Sequence, residues 1–139
     1  MRMHDDNIGT TRDLALHRIE TSKSDIKAAK ILLDAGEYRS SNNRAYYGIY
    51  HAISAIHAMD GNAYKKHKDA LANFNKEYVK TEVFPRNIGR RISEAAEIRH
   101  ASDYDDFYIA TKTEAEEQIA TAVEPLEMVQ KYCNDRLSK

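Results

Sequence analysis

The chain is poor in residues that break helices or build turns: five glycines, two prolines and no tryptophan among 139 residues. All-β folds depend on frequent tight turns, so this scarcity argues against them. The single cysteine, Cys133, excludes an intrachain disulfide and a thiolate metal cluster. No apolar run approaches the roughly 20 residues that span a bilayer. The opening Met1-Arg2-Met3-His4-Asp5-Asp6 lacks the apolar stretch of a signal peptide. A cytoplasmic protein with no membrane contact is therefore expected. Net charge is missing too, because 21 basic and 22 acidic residues leave −1. Whole-protein polyanion binders are usually strongly basic, which leaves only a local basic face open. What the chain does have is 31% charged and 42% apolar residues, the make-up of a helical domain able to bury its own core. Residues 1–139 are read as one such domain.

Apolar residues recur at helical spacing throughout. The first helix is expected to begin near Thr10 or Thr11, either of which can cap free amides, and to end at Gly36. Its stripe is Ile19, Ile26 and Leu33, with Ser22, Ala29 and Leu32 on the same side. A second helix is expected from Ser40 or Ser41 to Asp60, closed by Gly61, and a third over Lys65 to Lys80. Pro85 marks entry to a fourth, from Arg86 to His100. A fifth should follow Thr113, which with Glu116 spells a T-x-x-E capping box. Pro125 inside that last pattern should kink or split it. The expected fold is all-α, an up-and-down bundle of four or five helices.

The second helix carries the densest chemistry. Arg44 and His51 are seven residues apart, two turns, so they differ by only about 20° around the axis. One side of this helix is apolar: Ala45, Ile49, Ala52, Ile53 and Ile56. The other holds Arg44, Gly48, His51, Ala55 and Ala58, with Tyr47 beside them. That second side has no Lys or Glu, so it is expected to be covered as well, within the bundle or at a subunit interface. An arginine and a histidine there need partners, since unpaired buried charge is costly. They could hold a phosphate and move a proton beside it, or form a structural polar stripe, the commoner fate of a half-buried histidine.

The fourth helix offers a third such group. Ile88, Ile92 and Ala95 form its inward stripe, and Arg99 falls on the same line one turn later. Asp103, Asp105 and Asp106 follow and can supply a carboxylate partner. Three aspartates in four residues suggest metal, but the glycine and distal glutamate of a calcium loop are absent, so no metal is expected. Lys65, Lys66, His67 and Lys68 form one basic cluster, and Arg86, Arg90 and Arg91 another. Either could meet phosphates without reading sequence, or simply keep the surface solvated.

Arg44-Ala45-Tyr46-Tyr47 with His51-Ala52, preceded by Leu32-Leu33-Asp34-Ala35-Gly36 and Tyr38 and followed by Lys65-Lys66-His67, Phe74 and Arg99 with Asp103-Tyr104, resembles the HEPN domain family over nearly the whole chain. That resemblance implies a homodimer, a nucleotidyltransferase antitoxin as partner, and RNA as substrate. It implies cleavage without metal or other cofactor by an arginine and a histidine in an R-x4–6-H motif. The chain departs from the motif where histidine would follow Arg99, having Tyr104 or Asp105 instead. Arg44 and His51 do satisfy R-x6-H, but on the earlier helix. Arg12 and His17 satisfy R-x4-H yet lie about 140° apart on a helix, so that match is read as accidental. The expected site is thus composite: His51 as acid/base, Arg44 and Arg99 as phosphate clamps, and Tyr47, Tyr104, Asp103, Lys65 and Lys66 as contacts to substrate or partner. The alternative is a non-catalytic dimeric module, in which the same Arg/His/Asp network is structural and Tyr104 or Tyr47 is what a partner grips or modifies.

Overall fold

The computed structural model describes residues 3–138. Helix α1 spans Met3–Asp34, so neither Thr10 nor Thr11 starts it; no proline interrupts residues 3–10, and the helix simply runs on. Its end is the expected one. Gly36 takes φ +78, and the amides of Gly36 and Glu37 return to Leu33 O and Leu32 O at 3.0 and 2.9 Å, closing the helix in a Schellman turn. Helix α2 follows at once over Tyr38–Met59, and Gly61 at φ +82 turns the chain away. Helix α3 is His67–Phe74 and continues into a π-helical turn, Asn75–Val79. Helix α4, Arg86–Tyr104, is one turn longer than expected. That turn matters, because it puts Asp103 on the same helix as Arg99, four residues on.

Helix α5 spans Lys112–Leu137, capped by Thr111 rather than Thr113: the Thr111 hydroxyl accepts from the Glu114 amide at 3.1 Å. The motif is still T-x-x-E, shifted by two residues. Pro125 neither splits α5 nor ends it. A proline inside a helix costs about 3 kcal/mol, but Pro125 is itself buried, and the stripe Ala115, Ile119, Ala122, Leu126, Val129 and Cys133 stays buried on both sides of it. Core packing on each side outweighs the missing hydrogen bond.

Helix α2 is the central element, in contact with α1, α3, α4 and α5. Both of its sides are covered: Ala45, Ile49, Ile53 and Ile56 on one, Gly48, Ala55 and Ala58 on the other. Gly48 is what lets α1 come so close. The Ser22 hydroxyl donates to Gly48 O at 2.6 Å, and a Cβ at position 48 would lie 2.8 Å from Ile26 Cγ1. Gly48→Val should therefore lower stability by about 2–3 kcal/mol through overpacking, more than a better helix former returns. Urea denaturation of the purified variant checks this, with an unchanged midpoint as the contrary result.

His57 gives the fold a built-in pH dependence. It is buried, its Nε2 is bonded to Ala70 O at 3.0 Å, and its Nδ1 has no partner. Burial holds its pKa below the ordinary 6.5, against smaller opposing effects from the Ala70 carbonyl, Glu77 and Asp60. The neutral ring is thus favoured in the folded state, and its contribution to stability is complete above about pH 6.5. That contribution is lost as pH falls through the lower folded value, because the unfolded chain binds the proton first. Thermal melts from pH 8 to 5 should show the midpoint falling below pH 6.5, with a shallower fall in His57→Gln.

Candidate functional site

The polar side of α2 meets α1 at a buried carboxylate. Asp25 Oδ2 accepts a hydrogen bond from His51 Nδ1 at 2.6 Å, and its Oδ1 lies 3.6 Å from an Arg44 Nη1. Asp25 is 7% exposed, and two donors offset the cost of its desolvation. A carboxylate can only accept, so Nδ1 of His51 carries the proton in that bond. The other ring nitrogen, Nε2, makes no hydrogen bond among the described residues. The imidazole is half-buried, with one nitrogen held by an aspartate and the other left open, an arrangement that can serve a proton transfer or a purely structural pair.

Tyr47 stands at the middle of the cluster. The Arg44 guanidinium lies 4.9 Å from its ring centroid and that of Arg99 5.7 Å, while the His51 and His67 rings are 6.2 and 5.5 Å away. Arg99 also lies 4.9 Å from the Tyr46 ring. Both guanidinium groups keep a buried Nε–H with no acceptor. Arginine presents a fork of donors suited to phosphoryl oxygens. Arg44 and Arg99 thus each have unused donors within a shared aromatic setting. Tyr46 is 1% exposed, and burial pushes its hydroxyl pKa up against the opposing pull of Arg99, so it is a neutral phenol.

The end of α4 is tied to α2 in two ways. Arg99 pairs with Asp103 at 3.4 Å, and Asn43 Nδ2 donates to the same Asp103 oxygen at 2.9 Å. Asp105 and Asp106 take no part in that pairing; the Asp105 side chain accepts instead from the Phe107 amide. Arg39 then binds four carbonyls at the C-terminus of α4 and just beyond, those of Ser102, Tyr108, Ala101 and Asp105, at 2.8, 3.1, 3.5 and 2.5 Å. A guanidinium there satisfies the free carbonyls of the helix end and complements its dipole. Asn42, joined to Ser102 and Glu114, continues the tie toward α5.

Of the residues singled out from the sequence, Arg44, Tyr47, His51, Arg99 and Asp103 come together. Arg44, Asp103 and Tyr104 line an open groove of about 810 Å³, while His51 and Arg99 are not part of its lining. Tyr104 is 67% exposed and packs against His100. Lys65 and Lys66 are exposed immediately before His67, at the rim of the cluster. The other basic group is partly neutralised, Arg91 by Glu124 at 2.5 Å and Arg90 by Glu94 at 3.9 Å. Arg12 and His17 are both exposed and play no part here. Asp25 and His67 were not legible as members of the site. The signals were a carboxylate bordering the apolar stripe of α1, and a histidine that stood both in a lysine cluster and within the family resemblance, where no role was attached to it. Among the described residues there is no group of three or more His, Cys, Asp or Glu placed to hold a metal ion, and no helix is long and apolar enough to cross a membrane.

A model of the HEPN domain matches residues 15–132, a span that contains every residue of the cluster. A Thermotoga maritima protein named "UPF0332 protein" is 30% identical over 77% of this chain and 81% of its own. A Methanocaldococcus jannaschii protein named "Putative toxin MJ0142" is 30% identical over 70% of this chain and 67% of its own. Among solved structures, TT1696 from Thermus thermophilus superposes with a TM-score of 0.73 at 20% identity, over 84% of this chain and 96% of that one, which establishes the likeness of fold. With the family match covering α2, α3, α4 and most of α1 and α5, the chain belongs to the HEPN domain family.

Proposed function

We propose that this protein is a toxin-like endoribonuclease whose site is the α2 face with the residues α1 and α4 bring to it. The observation that carries this reading is the His51–Asp25 pair, which leaves Nε2 open beside two arginines with unused buried donors. In RNA cleavage by internal transesterification, the 2′-hydroxyl attacks the adjacent phosphorus and the 5′-oxygen leaves. His51 moves a proton in that step. Arg44 and Arg99 stabilise the charge that builds on the phosphoryl oxygens, and Tyr47 offers a face on which a base can stack. Asp103 and Asn43 hold Arg99 in place. Lys65 and Lys66 attract the RNA backbone, a contact that weakens with salt.

The toxin-like role draws support from the names of the relatives. Pairing with a nucleotidyltransferase antitoxin, and a homodimer, rest on what the family resemblance implies; exposed Tyr104, Phe107 and Ile109, at 67, 93 and 82%, provide an apolar surface for either contact. Purified protein incubated with single-stranded RNA in EDTA should cut it. Intact RNA at stoichiometric protein would count against the reading.

A further inference from the structure

We infer that His67, the first residue of α3, is the second proton-handling residue of this site: it takes the proton from the 2′-hydroxyl while His51 delivers one to the leaving 5′-oxygen. This rests on the RNA-cleavage reading above and adds a catalytic residue to it.

The two imidazoles come from different helices and touch the same two rings. His67 stacks on Tyr50, with centroids 3.7 Å apart and planes at 23°, and lies edge-on to Tyr47 at 5.5 Å. His51 lies 5.6 Å from Tyr50 and 6.2 Å from Tyr47. The tyrosines therefore set both histidines on one aromatic floor, the one that also carries the two arginines.

Their electrostatic settings differ. Asp25 contacts His51. The groups facing His67 are Tyr46, Tyr47, Tyr50 and His51 from α2 and Arg99 from α4, and no carboxylate pairs with it among the described residues. On its own segment Lys66, Lys68 and Asp69 are exposed. The two imidazoles thus differ in what holds them: a carboxylate fixes His51, and none pairs with His67. Burial, then Arg99, then His51 hold the His67 pKa below 6.5, so its ring is neutral at pH 7 and free to accept a proton. Tyr46 Oη lies 3.5 Å from His67 Nδ1. In the tautomer whose Nδ1–H faces that oxygen, the lone pair is on Nε2.

The step balances without a co-reactant. The 2′-oxygen gives its proton to His67 and forms a bond to phosphorus; the P–O5′ bond breaks, and its electron pair leaves on O5′, which takes a proton from His51. The products are a 2′,3′-cyclic phosphate and a 5′-hydroxyl, with the two histidines in exchanged protonation states.

The test is a pair of substrates and a pH series, with wild type, His51→Gln and His67→Gln. One substrate is a dinucleotide; the other is a nucleoside 3′-(p-nitrophenyl phosphate), whose leaving group needs no acid. We expect His67→Gln to lose about a hundredfold in kcat on both substrates and to lose the rise in rate through the lowered His67 pKa. His51→Gln should regain near wild-type rate on the nitrophenyl ester alone. His67→Phe, which keeps a ring against Tyr50, should be as slow as His67→Gln and serves if the glutamine variant does not fold. Wild-type cleavage with both His67 variants at full rate, or with their defect repaired by the nitrophenyl ester, overturns this assignment and leaves the RNA-cleavage reading standing. A wild-type protein that cleaves neither substrate overturns both.

Discussion

His51→Ala should lower RNA cleavage by about a thousandfold while the protein stays folded. A positioned acid/base typically supplies a hundred- to ten-thousandfold, and among the described residues His51 is the one imidazole that a carboxylate fixes, at 2.6 Å. The cost to the fold is small, because Asp25 keeps Arg44 as a partner and the ring is only partly buried. Losing one hydrogen bond to a charged group is worth about 2 kcal/mol, a shift of several degrees in melting temperature. Single-turnover cleavage with a melt on the same sample separates the two effects. Unfolding in place of inactivation would mean that His51 is a structural group and that the network is a bundle staple.

Arg99→Ala should cost nearly as much, about a hundred- to a thousandfold in kcat, the range for removing one donor to a developing oxyanion. Arg99 is the charged residue that α4 aims at the tyrosine cluster, and its Nε–H is buried without an acceptor. Asp103 is not stranded by its loss, since Asn43 still donates to it at 2.9 Å. What the fold loses is the stacking on Tyr46 and Tyr47, about 1–2 kcal/mol. Arg99→Lys distinguishes charge from shape: it keeps the cation but cannot present a planar fork, so we expect it to recover stability and only part of the activity. Full activity in Arg99→Ala would remove Arg99 from the mechanism.

The helices were legible wherever a hydrophobic stripe ran unbroken or a glycine stood ready to take positive φ. Gly36 and Gly61 ended α1 and α2 as their positions implied. Boundaries set by local capping were not legible: both Thr111 and Thr113 have a glutamate three residues on, and it is the one after Thr111, Glu114, that Asn42 and Tyr108 bind. Of the two outcomes expected at Pro125 the split did not occur, since a helix packed along its whole length tolerates what an isolated one does not. Within the site, helical periodicity was enough to place Arg44, Tyr47 and His51 on one face and to turn Arg99 inward. It could not bring in Asp25 or His67. Both reach the cluster through contacts between helices far apart in sequence, 26 residues from Asp25 to His51 and 21 from Tyr46 to His67, and no spacing rule within one helix encodes them.

The most direct test of the central claim, that the His51 side of α2 is a ribonuclease site, is the chemistry of the cut ends. A 5′-labelled single-stranded RNA is incubated in EDTA with wild type and with His51→Ala, and the products are read by mass spectrometry. The account predicts fragments ending in 2′,3′-cyclic phosphate or its hydrolysed 3′-phosphate, from wild type alone. Intact RNA with wild type, ends of another kind, or equal cleavage by His51→Ala would contradict it.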